Sequence, residues 1–131
     1  MENNQEVLEK RYFFARNCAL GGDIDTVRAI LPSLKNFIPR EELEKLLLIG
    51  TDKARELWYD EALTCLAGGN LRDGKDYLNH AERYGKEMNS PLDSFEIKKS
   101  FYFAWKSPAP ILDKFIFTLR IVSLSLRSYG V

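Results

Sequence analysis

Two stretches of this chain read alike, and together they constrain its fold more than any other feature. CALGGDIDTVRAIL runs from Cys18 to Leu31, and CLAGGNLRDGKDYL runs from Cys65 to Leu78. Sliding the chain by 47 residues superposes Tyr12 on Tyr59, Ala15 on Ala62, Cys18 on Cys65, Gly21 and Gly22 on Gly68 and Gly69, and Leu31 on Leu78. Asp23 then meets Asn70, and Ile24 meets Leu71. A small-residue run, a Gly-Gly pair and a capping Asp or Asn are what an αα-hairpin requires. Small residues let the helices approach, glycine supplies the left-handed backbone at a helix end, and the polar residue caps the next helix. One hairpin cannot bury its apolar face alone, so a second copy supplies the missing wall.

The rest of the chain carries the same helical period. Leu8, Tyr12, Ala15 and Ala19 form one stripe before the first Gly-Gly pair, and Ile24, Val27, Leu31, Leu34 and Ile38 form the next. Pro32 lies inside that second stripe and should kink or end its helix early, because it removes a backbone donor. Pro39 suits a first helical turn, followed by the acidic REELEKLLLI. Gly50-Thr51-Asp52 reads either as a stop and restart or as part of one long helix. Ala54, Leu57, Trp58, Ala62 and Cys65 face the core of the following segment, and Leu71, Gly74, Leu78, Ala81, Gly85 and Met88 make the next stripe. Ser90-Pro91 opens a sixth helix through SFYFAW, and Ser107-Pro108-Ala109-Pro110 separates it from a seventh, Ile111 to about Arg127. The expected fold is all-α, about seven helices in a single domain over 1–131. Its hairpins lie at about 5–37 and 52–89, and the C-terminal helices at about 91–128 pack on them.

The segment WYDEALTCLAGGNLRDGKDYLNHAERYG resembles the tetratricopeptide-repeat family. Trp58 stands where such a repeat opens with an aromatic, Ala62 is similar to its small packing residue, and Gly69-Asn70 to its Gly-Asp turn. Gly74, Leu78 and Ala81 take the places of the second-helix residues. In the earlier copy Ala15, Gly22-Asp23, Leu31 and Pro39 match, while Arg11 occupies the aromatic position. The spacing exceeds the family's repeat of about 34 residues, because the segment 39–49 intervenes. The resemblance implies antiparallel hairpins and a groove that binds a protein segment. Carried onto this chain, the contact residues would be Tyr12, Arg16, Tyr59 and Leu63. The alternative for the two tyrosines is packing between helices.

Composition excludes some functions. The chain is 45% hydrophobic and 29% charged with a formal net charge of zero, so no whole-chain field draws it to nucleic acid or an anionic membrane. Residues 1–90 hold 13 basic and 16 acidic side chains, and residues 91–131 hold 6 and 3. The N-terminal MENNQEVLEK is polar and acidic, unlike a secretory signal, and no apolar run approaches the roughly 18 residues of a membrane span. A cytoplasmic location with two reduced cysteines is the expectation. His80 is the sole histidine, and no metal-ligand, phosphate-loop or dinucleotide motif is present. Neither a cofactor, a metal nor an enzymatic activity is expected.

Two C-terminal features carry the functional expectations. KKSFYFAWKS, Lys98 to Ser107, interleaves cations with aromatics, the pattern of a base-stacking platform. A nucleic-acid-binding factor using Lys98, Lys99, Lys106, Arg120 and Arg127 is the alternative function. In the last segment Leu112, Phe115, Ile116, Leu119, Val122 and Leu126 form a stripe, which Phe117, Ile121 and Leu124 broaden beyond one face. A helix apolar most of the way round is either central or covered by another chain. Self-association as a homodimer would then run through Phe115, Leu119, Val122 and Leu126. The leading expectation is a non-enzymatic interaction or scaffold module that buries a protein partner's segment against a helical face.

Overall fold

The structure, a computed structural model, describes the backbone of residues 4–128 and the side chains of residues 4–122. It is all-helical. Among the described residues six helices follow one another: α1 (Asn4–Leu20), α2 (Ile24–Leu34), α3 (Arg40–Ala67), α4 (Leu71–Glu87), α5 (Ser94–Lys106) and α6 (Ile111–Ser128). The chain divides into two compact units, Met1–Ala54 and Arg55–Val131, with the boundary inside α3.

The helix count is six rather than seven because the chain does not stop at Gly50. A Cβ at that position would lie 3.0 Å from Ile24 Cδ1 and 3.5 Å from the Ala19 Cα. The glycine therefore serves a close approach between helices instead of a turn. Thr51, the second half of the apparent stop, keeps its hydroxyl inside the helix by donating to the Leu47 carbonyl at 2.7 Å. Pro32 behaves as expected: α2 ends two residues later, at Leu34. Ile38, expected on that helix, lies beyond it and is half-buried. Pro39 stands just before α3, its carbonyl accepting from the Glu42 and Leu43 amides.

The two Gly-Gly corners are built by the same bonds. At the first, the Asp23 amide donates to the Cys18 carbonyl at 2.9 Å and the Gly22 amide to Ala19 at 3.0 Å. At the second, Asn70 donates to Cys65 at 2.9 Å and Gly69 to Leu66 at 3.1 Å. This is the glycine-terminated helix end in which two successive amides reach back to orphan carbonyls. Gly22 (φ 80°) and Gly69 (φ 91°) supply the left-handed residue. Asp23 (φ −83°, ψ 72°) and Asn70 (φ −86°, ψ 76°) then turn to cap the next helix, accepting from the Thr26 and Asp73 amides.

Behind the corners the packing volumes are exchanged. The first copy has buried Ala19 and Val27 where the second has buried Leu66 and Gly74. A Cβ on Gly74 would stand 2.5 Å from Leu66 Cδ2, so the larger side chain on α3 requires a bare position on α4.

The second unit holds a continuous apolar core of Ala62, Leu66, Leu71, Leu78, Ala81, Leu92, Ile97, Ala104, Phe117 and Ile121, with Tyr59 and Ala109. A partly buried polar latch fixes the linker that leads into α5. The Arg55 guanidinium meets both Glu96 oxygens, at 3.0 and 2.6 Å, and also donates to the Ser90 and Pro91 carbonyls. The Glu82 carboxylate, 4% exposed, accepts from the Leu92 amide at 2.8 Å. Asp93 and Glu96 form a reciprocal capping box, so α5 starts at Ser94 and not at Ser90-Pro91.

Candidate docking face on α5 and α6

The latch and the capping box set how α5 lies, and α5 in turn receives α6. Ile97, Ser100 and Ala104 point into the core from α5, while Phe117 (2% exposed) and Ile121 (3%) do so from α6. With 100° per residue, that places Leu112, Phe115, Ile116, Leu119 and Val122 on the far arc. The far arc is open. Its side chains, with Ile111, range from 41% to 75% exposed, and Leu119 is the most exposed of them. α6 is therefore not a central helix within its unit. Its apolar circumference consists of one covered arc and one uncovered arc.

Aromatic residues of α5 continue this surface. The Trp105 ring meets Phe115 edge-on at 5.6 Å and lies 5.8 Å from Phe101. Its indole N–H donates to Thr118 Oγ1 at 2.9 Å, and the Thr118 hydroxyl donates to the Lys114 carbonyl. Trp105 is thus fixed as a wall rather than left to swing. Between the helices runs an apolar groove of about 450 Å³, bordered by Phe101, Tyr102, Trp105, Ile121 and Val122. Lys98 and Lys106 rim it, and the Lys106 ammonium sits 4.6 Å above the Tyr102 ring.

On the other margin of α6 a cleft of about 490 Å³ opens at the start of α4. Arg72, Lys75 and Arg120 line it with Asp113, Ile116 and Phe117. The cations expected to form one nucleic-acid surface are therefore divided. Lys98 and Lys106 border the apolar groove, Lys98 also joins Lys99, Phe95 and Phe103 around a second depression, and Arg120 stands apart from them on the cleft. Leu126 and Arg127 lie outside the residues whose side chains are described.

The four residues suggested by the tetratricopeptide resemblance fall in different settings. Tyr12 and Arg16 belong to the first unit, where Tyr12 is half-buried beside Phe13 and Arg16 is exposed. Tyr59 is buried, and its hydroxyl donates to the Glu96 carbonyl at 3.0 Å. Burial above all, then the Glu96 charge, pushes the Tyr59 phenol well above the ordinary tyrosine range. Leu63 packs half-buried against the second unit's core. Packing between helices, the alternative weighed for the tyrosines, describes Tyr59.

Other reactive side chains sit in unremarkable chemistry. Burial, with Asp23 beside Cys18 and Glu61 and Asp73 beside Cys65, raises both thiol pKa values, which disfavours the nucleophilic thiolate. His80 stacks on Trp58 at 4.8 Å, and Arg83 donates to its Nδ1 at 2.9 Å. Since arginine cannot accept, that bond places a neutral ring's proton on Nε2. Among the described residues no group of three His, Cys, Asp or Glu side chains could hold a metal ion, and no helix is long and apolar enough to cross a membrane.

Reading the sequence alone missed that the α5 aromatics and the α6 stripe join into one surface. The signal was present in two parts: an aromatic run at 101–105 and an apolar stripe at 111–122, separated by a short Pro-containing link. No protein-family model matches this chain, and no curated protein and no solved structure matches it either.

Proposed function

We propose that this chain is a non-enzymatic protein-interaction or scaffold module that buries an apolar partner segment on the α5–α6 face. The observation that carries this reading is the open arc of α6. Six large apolar side chains there, from Ile111 to Val122, are 41–75% exposed. Monomers seldom leave contiguous apolar patches above about 300–600 Å² uncovered unless the patch is functional. The tetratricopeptide-like reading belongs to the same proposal, supported by two corners with matching bonds and backbone angles. On that reading Tyr12 and Arg16 remain open to a partner, whereas Tyr59 and Leu63 are engaged internally. A cytoplasmic location is part of the same reading, resting on the free thiols of Cys18 and Cys65.

The test is binding of a fluorescent apolar dye. The wild-type chain should enhance its emission, and Leu119→Glu and Leu112→Ser should remove most of that enhancement without shifting thermal unfolding. Enhancement unchanged in both variants overturns the proposal.

The alternative, a small nucleic-acid-binding factor, draws support from Lys106 above Tyr102, an arrangement able to pair a phosphate contact with a stacked base. The separation of Arg120 from the α5 lysines counts against it. Polarisation of labelled single-stranded and duplex oligonucleotides decides the matter. Affinity falling steeply with salt supports the alternative, and no binding at low salt removes it.

A further inference from the structure

The groove between α5 and α6 carries charge of one sign. Lys98 and Lys106 border it, and among the described residues no carboxylate lines it. The acids at the start of α5 are already engaged: Asp93 and Glu96 cap the helix, and the Arg55 guanidinium holds Glu96. Lys98, Lys99 and Lys106 are exposed, and among the described residues none of them forms an ion pair. A second apolar depression, made by α5 alone, is bordered by Phe95, Lys99 and Phe103, and Lys98 and Tyr102 belong to both hollows. Lys98, Tyr102 and Lys106 follow at intervals of four residues, so they stand one above another along a single face of the helix.

Building on the docking reading above, we propose that the occupant of this groove is a protein segment with an apolar middle flanked by two carboxylates, which pair with Lys98 and Lys106.

Charge, spacing and wall chemistry select that occupant. Two ammonium groups without internal counter-ions beside an apolar floor favour an anionic partner over a neutral or cationic one. Eight residues of α5 separate them, about 12 Å at 1.5 Å per residue. An occupant reaches both only with negative charges that far apart, about two turns of a helix or four residues of an extended segment. A single-headed amphiphile such as a fatty acid carries one charge and leaves one lysine unanswered. The floor between the lysines is Ile97, Phe101, Trp105, Ile121 and Val122. Three of these are aliphatic, and they receive a leucine or phenylalanine side chain but give a nucleobase no ring to stack on. Trp105 is held by its bond to Thr118 and its edge contact with Phe115, so this floor is preformed and costs a partner little ordering.

A display library of random dodecapeptides, selected on the immobilised full chain, tests this, with the best peptides then measured by fluorescence polarisation. The selected peptides should share acidic side chains on both sides of an apolar middle. Lys98→Glu/Lys106→Glu replaces two exposed side chains, and should keep the wild-type melting temperature while weakening these peptides about tenfold or more. The same peptides with both acids changed to lysine should bind that variant better than they bind wild type. Apolar peptides selected without acids, or affinities that the double variant leaves unchanged, overturn the inference while the docking reading stands. A labelled oligonucleotide or fatty acid that binds wild type more tightly than the best peptide overturns it too. Selection of no peptide by a chain that still binds the apolar dye through Leu112 and Leu119 overturns it and spares the docking reading. A chain that selects no peptide and binds no dye overturns both.

Discussion

Tyr59 shows how far a side chain's neighbours alter its chemistry. Its phenol is buried and donates to the Glu96 carbonyl, and the nearby Glu96, Asp93 and Asp60 charges add to the burial in opposing ionisation. Its folded-state pKa is therefore raised above the unfolded value of about 10. Above that pH the unfolded chain sheds the proton while the folded chain keeps it, so stability declines as pH rises. Urea midpoints at neutral pH and at about pH 11 should show this loss in wild type and a smaller loss in Tyr59→Phe. Both tryptophans, Trp58 and Trp105, lie in the second unit, so their fluorescence reports on the right part of the molecule. The exchanged volumes make a second residue-scale prediction. Gly74→Val should destabilise the second unit by about 2–3 kcal/mol or more, since the added methyls meet Leu66. Adding Leu66→Ala reproduces the Ala19 and Val27 arrangement of the first copy and should recover part of that loss, a non-additivity that a double-mutant cycle measures.

A helix is specified locally and used globally, and α6 separates the two. Phe117 and Leu119 are both large and apolar and only two residues apart, yet one is 2% and the other 75% exposed. Phe117→Ala should cost about 3–5 kcal/mol in chemical denaturation, the usual penalty for emptying a buried aromatic site. Leu119→Ser should stay within about 0.5 kcal/mol of wild type, because it removes no intramolecular contact of weight. If both substitutions cost alike, the assignment of covered and uncovered arcs is wrong. At the start of α5, the Asp93 side chain accepts from the Glu96 amide at 2.7 Å. Asp93→Ala should therefore cost about 1 kcal/mol, seen as a lower melting temperature. Arg55 and Glu96 tie the same helix end to α3, so damage there should also loosen the aromatic wall that α5 presents.

At the scale of the molecule, the proposed activity is contact rather than reaction, and contact has a thermodynamic signature. Association through the apolar arc of α6 should change little between low and moderate salt, whereas phosphate binding by the scattered lysines and arginines would weaken steeply. Sedimentation in both salt conditions distinguishes them. Much of the architecture was legible from residue order. The two Gly-Gly corners, their Asp and Asn caps and the helical runs between them depend on hydrogen bonds that span at most five residues, so local sequence contains the whole instruction. Residue order leaves Gly50 open between a stop and one long helix for the opposite reason. A glycine can end a helix or admit a neighbour, and only the position of Ile24, brought close by the fold, selects the second use. The docking face was legible as a stripe but not as a surface. Periodicity records that Leu112, Leu119, Phe117 and Ile121 are apolar, and helical geometry records that they divide into two arcs. Which arc meets the core is decided by where α4 and α5 stand, because burial is a property of neighbours distant in sequence and apolar attraction has no direction of its own.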